Sequence, residues 1–418
     1  MTAENIKIKR NCIMSPLLRT ADKNRIFRFN LIFVLVSANL CVTAAKPTEI
    51  SLKITNHSSS DHNGEVVEIS DSLIKDLKGR YAVVKTSDGK SIPSQITHDG
   101  KLLIYGDFPA QSTTQYSVIE TTKDNAAEAD TICLGQIRHD MQDDYTWENE
   151  FGGYRLYGPS YRAGGGKVSG YDIWTKSVEY PILKERYDGH MKYGISYHKD
   201  QGSGMDVYTV GPTLGCGMNA LMAGDSICYP VAYENCEILD NGPLRVTARI
   251  TCYPETIGND HNVVETRIIS LDRGGRLNKA TISYKGLSQS YPITTGIVVH
   301  KQNKRGYSID NDKRYLAYAD LTDNPNNGNG VIYIGIVNPQ LPDSISYVAF
   351  DREISDGIGQ VQTFATLSPE SEYTYYWGAG WSKGGVKGME SWLKYLADFH
   401  VRLQTPLEVT IETRSHKK

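Results

Sequence analysis

The chain has 418 residues, 39% of them hydrophobic and 22% charged, with a formal net charge of −3. That length exceeds what one hydrophobic core usually serves, and the charge excludes a protein that holds nucleic acid through bulk electrostatics. An anionic ligand has to be met by local Arg and Lys against an acidic background.

Phe29 to Leu40 is an almost uninterrupted apolar run, preceded by Lys23, Arg25 and Arg28 and followed by Val42-Thr43-Ala44-Ala45. The pattern reads as a cleavable secretory signal over residues 1–45, with Met14 as an alternative start. The run is short for a bilayer span, so no transmembrane segment is expected and the mature protein is placed in the periplasm or outside the cell. Cys41 raises lipidation, but Leu40 before it is larger than such signals favour. Losing a leader with seven Lys or Arg and two Asp or Glu takes the net charge to about −8.

Residues 46–125 read as a small β module. Ile50 to Ile54, Tyr81 to Val84 and Lys101 to Tyr105 are short strand-like runs spaced by turns such as Asp88-Gly89 and Asp99-Gly100. The polar stretch Thr121 to Asp130 has no apolar periodicity and marks the boundary with a larger region, 126–418. There, Leu244, Val246, Ala248, Ile250 and Cys252 alternate with polar residues, as in a strand with one packed face. Val263 to Leu271 and Lys279 to Tyr284 follow, separated by the turn Asp272-Arg273-Gly274-Gly275. Val331 to Val337 is apolar on both faces and should be central. Met389, Trp392, Leu393, Leu396 and Phe399 mark one amphipathic helix before a last strand, Leu407 to Glu412. The economical architecture is all-β, with a small N-terminal sandwich, large stacked antiparallel sheets and few helices.

Five cysteines remain after the leader: Cys133, Cys216, Cys228, Cys236 and Cys252. Their spacing has no CxxC pair, which argues against structural zinc. One disulfide within Cys216 to Cys252 is compatible with an oxidising compartment, and buried thiols packing as small hydrophobes are the simpler account. Gly164-Gly165-Gly166-Lys167 lacks the first glycine and the Ser or Thr of a P-loop and reads as a turn.

The chemistry-bearing residues concentrate between 143 and 212. In order, the chain carries Trp147-Glu148-Asn149-Glu150, Tyr154-Arg155-x-Tyr157-Gly158-Pro159, Asp172-x-Trp174-x-Lys176 and Tyr197-His198-x-Asp200-x-Gly202-x-Gly204-x-Asp206, then Asn241-Gly242-Pro243-Leu244-Arg245. With the later Gly378-Ala379-Gly380-Trp381-Ser382-Lys383, this order resembles a family of secreted bacterial proteins encoded in polysaccharide-utilisation loci, often annotated only as a domain of unknown function. The resemblance covers most of residues 47–410. It implies a galactose-mutarotase-like supersandwich and, for this activity class, dehydration of the uronic-acid ends of ulvan-type oligosaccharides. The chain departs from that pattern at Glu150-Phe151, where members often carry Asp-Arg.

The residues can also be read directly. By the two-residue period of a strand, Arg155 and Tyr157 share a face, as do Asp172, Trp174 and Lys176. A polar, aromatic face where a core sheet would show Val or Leu suits a cleft. Elimination at a uronate needs the substrate carboxylate neutralised, which fits Arg155 with Lys176 or Arg162 in reserve. Pairing of Arg155 with Asp172 explains the same pattern equally well. A base must take the C5 proton: His198 is the first candidate, ahead of His190 and His300. The leaving oxygen needs an acid, drawn from Tyr208, Tyr157 or a carboxyl of raised pKa such as Glu148. Trp147, Trp174 and Trp381 are candidates to stack on a sugar ring, or else fill the core.

Glu148 and Glu150 support a rival reading as the two acids of a glycoside hydrolase, although two residues apart on a strand they point the same way and suit the binding of sugar hydroxyls. Asp143, Asp144 and Asp206 offer oxygen donors to a calcium ion, without EF-hand spacing; no other cofactor is expected. The sequence therefore favours a carbon–oxygen lyase acting on an acidic oligosaccharide. A hydrolase, a sugar epimerase or a non-catalytic glycan-binding protein on the same fold are the alternatives.

Overall fold

The computed structural model describes residues 49–74, 80–85, 88–121 and 131–412. The leader expected over 1–45 and the polar stretch 122–130 lie outside the described residues. Antiparallel sheets dominate, and no described helix is long and apolar enough to cross a membrane.

The small module is a two-sheet sandwich. One sheet runs in the order Glu408–Glu412, Glu49–Asn56, Ser112–Thr121, Arg80–Lys85, Ser91–Ile92, and the other in the order His62–Ile69, Leu102–Phe108, Ser94–Ile96. Leu52, Ile54, Tyr116 and Val118 from the first meet Val67, Ile69, Leu102, Ile104 and Phe108 from the second in one buried core. Burying each such side chain stabilises the fold by about 1.5–3 kcal/mol. The last strand, expected to close the larger region, instead pairs with the first, Leu52 opposite Ile411, and adds Val409 and Ile411 to this core. Its alternation of apolar and polar residues completes a sheet edge, and that edge belongs to the small sandwich.

The larger region stacks a five-stranded sheet (Ser226–Cys228, Cys216–Ala223, Tyr291–His300, Gly357–Leu367, Ser344–Ile354) against a long one. The long sheet runs in the order Tyr233–Asn241, Arg245–Cys252, Asp260–Asp272, Leu277–Lys285, Glu372–Trp381, Ile332–Val337, Tyr315–Asp320, Tyr307–Ile309. All six residues of Ile332–Val337 are buried between two neighbouring strands, as their unbroken apolar run requires. In Arg245–Cys252 the expected alternation holds except at Thr247, which is also buried. Its outer face is covered by the small module, where Gln95 accepts from the N–H groups of Leu244 and Arg245 and donates to the Arg245 carbonyl. Helix Met389–Gln404 lies on the strands Ile332–Val337 and Tyr315–Asp320 and buries Trp392 and Leu396. All five described cysteines are free thiols, four of them buried. Burial raises their pKa, to about 12 for Cys236 and Cys252, so they pack as inert hydrophobes.

A third sheet positions the site: Leu134–Arg138, Asp144–Glu148, Gly152–Leu156 and Asp172–Thr175, in that order. Tyr145, Trp147, Tyr154 and Ile173 point into the main core. The opposite face carries Asp144, Glu148, Arg155, Asp172 and Trp174, because the pairs Gly153–Glu148, Gly153–Trp174 and Arg155–Asp172 are in register. Helix Leu183–Tyr193, which the sequence reading missed, covers this face; Leu183 and Tyr187 pack on Trp174 and Tyr197.

Candidate functional site

Arg155 and Asp172 are cross-strand neighbours, and their side chains form a buried ion pair. Asp206 arrives from a separate segment. Gly204, at φ +127°, lets the chain lie against Asp172–Thr175, since a Cβ there would sit 1.9 Å from the Thr175 carbonyl oxygen. Met205 then exchanges backbone hydrogen bonds with Thr175, and Asp206 bridges to Trp174. Asp206 thereby brings Oδ2 to 2.9 Å from Arg155 Nη2.

The guanidinium lies in an aromatic cage, 5.1 Å from the ring of Tyr157, 5.8 Å from Trp174 and 6.0 Å from Tyr197. Cation–π attraction adds to the Asp172 ion pair and the Asp206 hydrogen bond. One guanidinium faces three buried carboxylates, Asp144, Asp172 and Asp206, and the imbalance is relieved by protons. Burial, reinforced by Asp172 and opposed by Arg155, pushes the Asp206 carboxyl up to about 8. Burial pushes Asp144 up to about 7, with Arg155 opposing and Asp172 adding. These are the raised-pKa carboxyls that the sequence reading sought at Glu148.

His198 meets the same group. Its Nδ1 lies 2.9 Å from the Asp206 carbonyl oxygen and 3.8 Å from Asp206 Oδ2. A carbonyl only accepts, so Nδ1 carries a proton, and Nε2 is the nitrogen left to act on a ligand. The His198 side chain is 54% exposed, whereas Arg155 is 7% exposed. Tyr157 is half-buried; its hydroxyl accepts from Arg155 Nη2 and donates to Asp172 Oδ2, both at 3.3 Å. Burial holds its phenol far above the ordinary value, so it stays a proton donor. Arg155, Asp172, Asp206, His198, Tyr157 and Trp174 thus converge, with His198 and Tyr157 as the accessible members.

Other predicted residues have different partners. Lys176 donates to Glu148 Oε2 at 2.8 Å and to the Asn149 carbonyl, wholly buried. Glu148 also accepts from the N–H groups of Ile182 and Leu183, which fixes the start of helix Leu183–Tyr193. This pair holds the helix over the cluster and offers nothing to a ligand. Glu150 accepts from the Gly274 N–H at 2.7 Å. The three tryptophans expose no face for a sugar: Trp147 stacks between Tyr145 and Tyr154, Trp174 floors the cage, and Trp381 donates to the Asn329 carbonyl. Arg162 bonds to Glu255 and the Val231 carbonyl. Of the acids offered for calcium, Asp143 is engaged by His139 and Ser160.

Tyr208 is buried behind the cluster, its ring 5.6 Å from that of His300. His300 is itself buried, with Nδ1 2.6 Å from Asp320 Oδ2. Both groups are buried, whereas Tyr157 is half-buried. Asp144 was within reach of the two-residue period that selects Glu148. Tyr187 and the pairing of His300 with Asp320 carry no local signal, because helix packing and sheet stacking bring them together.

The assembly defines an all-β supersandwich protein with an arginine held among carboxylates beside an accessible imidazole and phenol. The chain belongs to the family described as Domain of unknown function (DUF4861), whose model matches residues 54–409. It is 26% identical over 406 residues to "Uncharacterized protein P7" of Formosa agariphila, a match covering 91% of this chain and 99% of that protein. Among solved structures it is similar to an alpha-mannosidase from Enterococcus faecalis V583, at 10% identity and a TM-score of 0.46, covering 88% of this chain and 46% of that one. It is also similar to a protein in the glycosyl hydrolase family 38 from Enterococcus faecalis, at 12% identity and a TM-score of 0.45, covering 88% of this chain and 48% of that one. The chain spans about half the length of these two structures.

Proposed function

We propose that this protein is a secreted or periplasmic enzyme that acts on uronic-acid-containing oligosaccharides by β-elimination or dehydration at the uronate. The observation that carries the reading is the meeting of Arg155 and His198 at one atom, Asp206 Oδ2, with the Tyr157 phenol alongside. In this mechanism Arg155 takes the substrate carboxylate in exchange for Asp206, whose neutral form releases it readily, and the neutralised carboxylate acidifies the C5 proton. Nε2 of His198 removes that proton, and the C5 electron pair forms the C4–C5 double bond as the C4–oxygen bond breaks. Tyr157 protonates the departing oxygen. The hydrolase reading loses support at Glu148, whose carboxylate is taken up by Lys176 and the start of helix Leu183–Tyr193.

The test is to incubate the full chain with oligosaccharides of ulvan, pectin and glycosaminoglycan type and follow the ultraviolet absorbance of the conjugated unsaturated uronate. Absorbance should grow with at least one of them, and His198→Ala should lower the rate about a hundredfold or more at an unchanged melting temperature. No absorbance gain with any substrate would sink the elimination reading, and near wild-type activity in His198→Ala would remove His198 as the base.

A further inference from the structure

Away from the Arg155 cluster, a cavity of about 330 Å³ opens between the small sandwich, the outer face of the long sheet and helix Met389–Gln404. This lies at the lower end of the roughly 300–1,000 Å³ typical of small-molecule sites. A second cavity of about 100 Å³ shares Glu68, Arg245, Ser270 and Lys279 with it, so the two make one elongated groove.

A junction serving only to hold two modules together would match its charges, and part of this one does. Arg245 bonds to Glu68 and Asp272, and Arg402 lies 3.8 Å from Glu65. Arg273 and Lys279 differ: neither has a carboxylate within ion-pair distance among the described residues. Arg273 lies over the ring of Tyr105 at 5.0 Å, which occupies its face and leaves its edge donors for another group. Tyr376 and Phe399, packed edge to face at 5.1 Å, form an aromatic wall at one end. Thr247 and Thr281 add hydroxyls in the smaller compartment, and Ser270 adds one where the two join. Unpaired cations, an aromatic wall and a row of hydroxyls are what an anionic ring with several hydroxyl groups requires.

We propose that this groove is a binding site for a carboxylate-bearing saccharide, held through Arg273 and Lys279 and sharing no residue with the Arg155 cluster. The same ligand class would also meet the Arg155 cluster under the elimination reading, so the two are told apart by Lys279→Ala and Arg273→Ala, which alter this groove and leave that cluster intact.

The experiment is calorimetric titration of the full chain with glucuronate, a glucuronate-terminated disaccharide, glucose and inorganic sulfate. The disaccharide should bind saturably and at least tenfold tighter than glucose or sulfate. Lys279→Ala and Arg273→Ala should each weaken that binding about tenfold, at melting temperatures near wild type, since Lys279 is exposed and Arg273 makes no ion pair. His198→Ala should bind as the wild type does. The proposal is overturned if no saturable binding is seen, if glucose or sulfate binds as tightly as the disaccharide, or if both groove variants bind as the unaltered protein does.

Discussion

Replacing Asp206 with Asn tests the electrostatics of the cluster through stability alone. In the folded protein the Asp206 carboxyl is raised to about 8, first by burial and then by Asp172; in an unfolded chain it lies at about 3.9. Between those values the folded state holds a proton that the unfolded state has released, so stability falls as pH rises through this window. The contribution is fully favourable below the unfolded value and is lost by the time pH passes the folded one. One such proton gives a slope of about 1.4 kcal/mol per pH unit, or about 2.7 kcal/mol between pH 5 and pH 7. Asn keeps the shape and an oxygen that accepts from Arg155 Nη2, but it does not titrate. Asp144, raised to about 7, contributes a slope of the same sign in both proteins. The difference between wild type and variant therefore isolates Asp206. Urea unfolding followed by circular dichroism at three pH values should show the wild type losing about 1.4 kcal/mol more per unit than Asp206→Asn. Equal slopes, or a steeper fall in the variant, would refute the claim that this carboxyl is neutral in the cluster.

Three further substitutions separate roles within the same sheet. Lys176→Met leaves Glu148 buried without its cation and should destabilise by about 3–5 kcal/mol in denaturant unfolding, because this pair holds the helix and not a ligand. Gly204→Ala forces a Cβ to within 1.9 Å of the Thr175 carbonyl oxygen at φ +127°; a loss of at least about 2 kcal/mol is expected, with activity falling as Asp206 shifts. Tyr157→Phe should reduce kcat on a uronate substrate by about a hundredfold while the melting temperature stays near wild type, and full activity would transfer the acid role elsewhere.

Much of the architecture was readable because the information is local. Alternation in Arg245–Cys252, the unbroken apolar run at Ile332–Val337 and the helical spacing of Trp392 and Leu396 each follow from a repeat over a few residues. The same period of two put Arg155 with Tyr157 on one strand face and Asp172 with Trp174 on another, and the cross-strand register brings the two pairs into contact. What the period could not say is which side of a residue is already occupied. Lys176 and Glu148 share the face of Arg155, yet helix Leu183–Tyr193 turns them into a buried pair, and that helix has a weak apolar stripe. Trp147 lies on the opposite face, one residue out of phase, and is core for that reason. The destination of Glu408–Glu412 depends on pairing with a strand more than 350 residues earlier, as in Leu52 opposite Ile411 and the Lys53–Glu412 ion pair, which no local pattern encodes.

The ion pairs around Arg155 also set how an anionic substrate would compete for it. A uronate carboxylate is ionised at any pH above about 5, so its own charge does not change across the working range. Its rival at Nη2 does change: below about 8 Asp206 is neutral and holds the guanidinium only through a hydrogen bond, while above that value it is an ion and holds it firmly. On the proposed function, KM for a uronate oligosaccharide should therefore be flat on the acid side of about 8 and rise on the alkaline side, by up to tenfold per pH unit. In Asp206→Asn the rise should disappear, because an amide cannot become a competing anion. Burial keeps the Tyr157 phenol protonated through this range, so the alkaline rise belongs to KM and is read in a KM and kcat analysis against pH. A KM that stays level through pH 9 in the wild type, or that rises equally in the variant, would show that the substrate carboxylate does not replace Asp206 on Arg155.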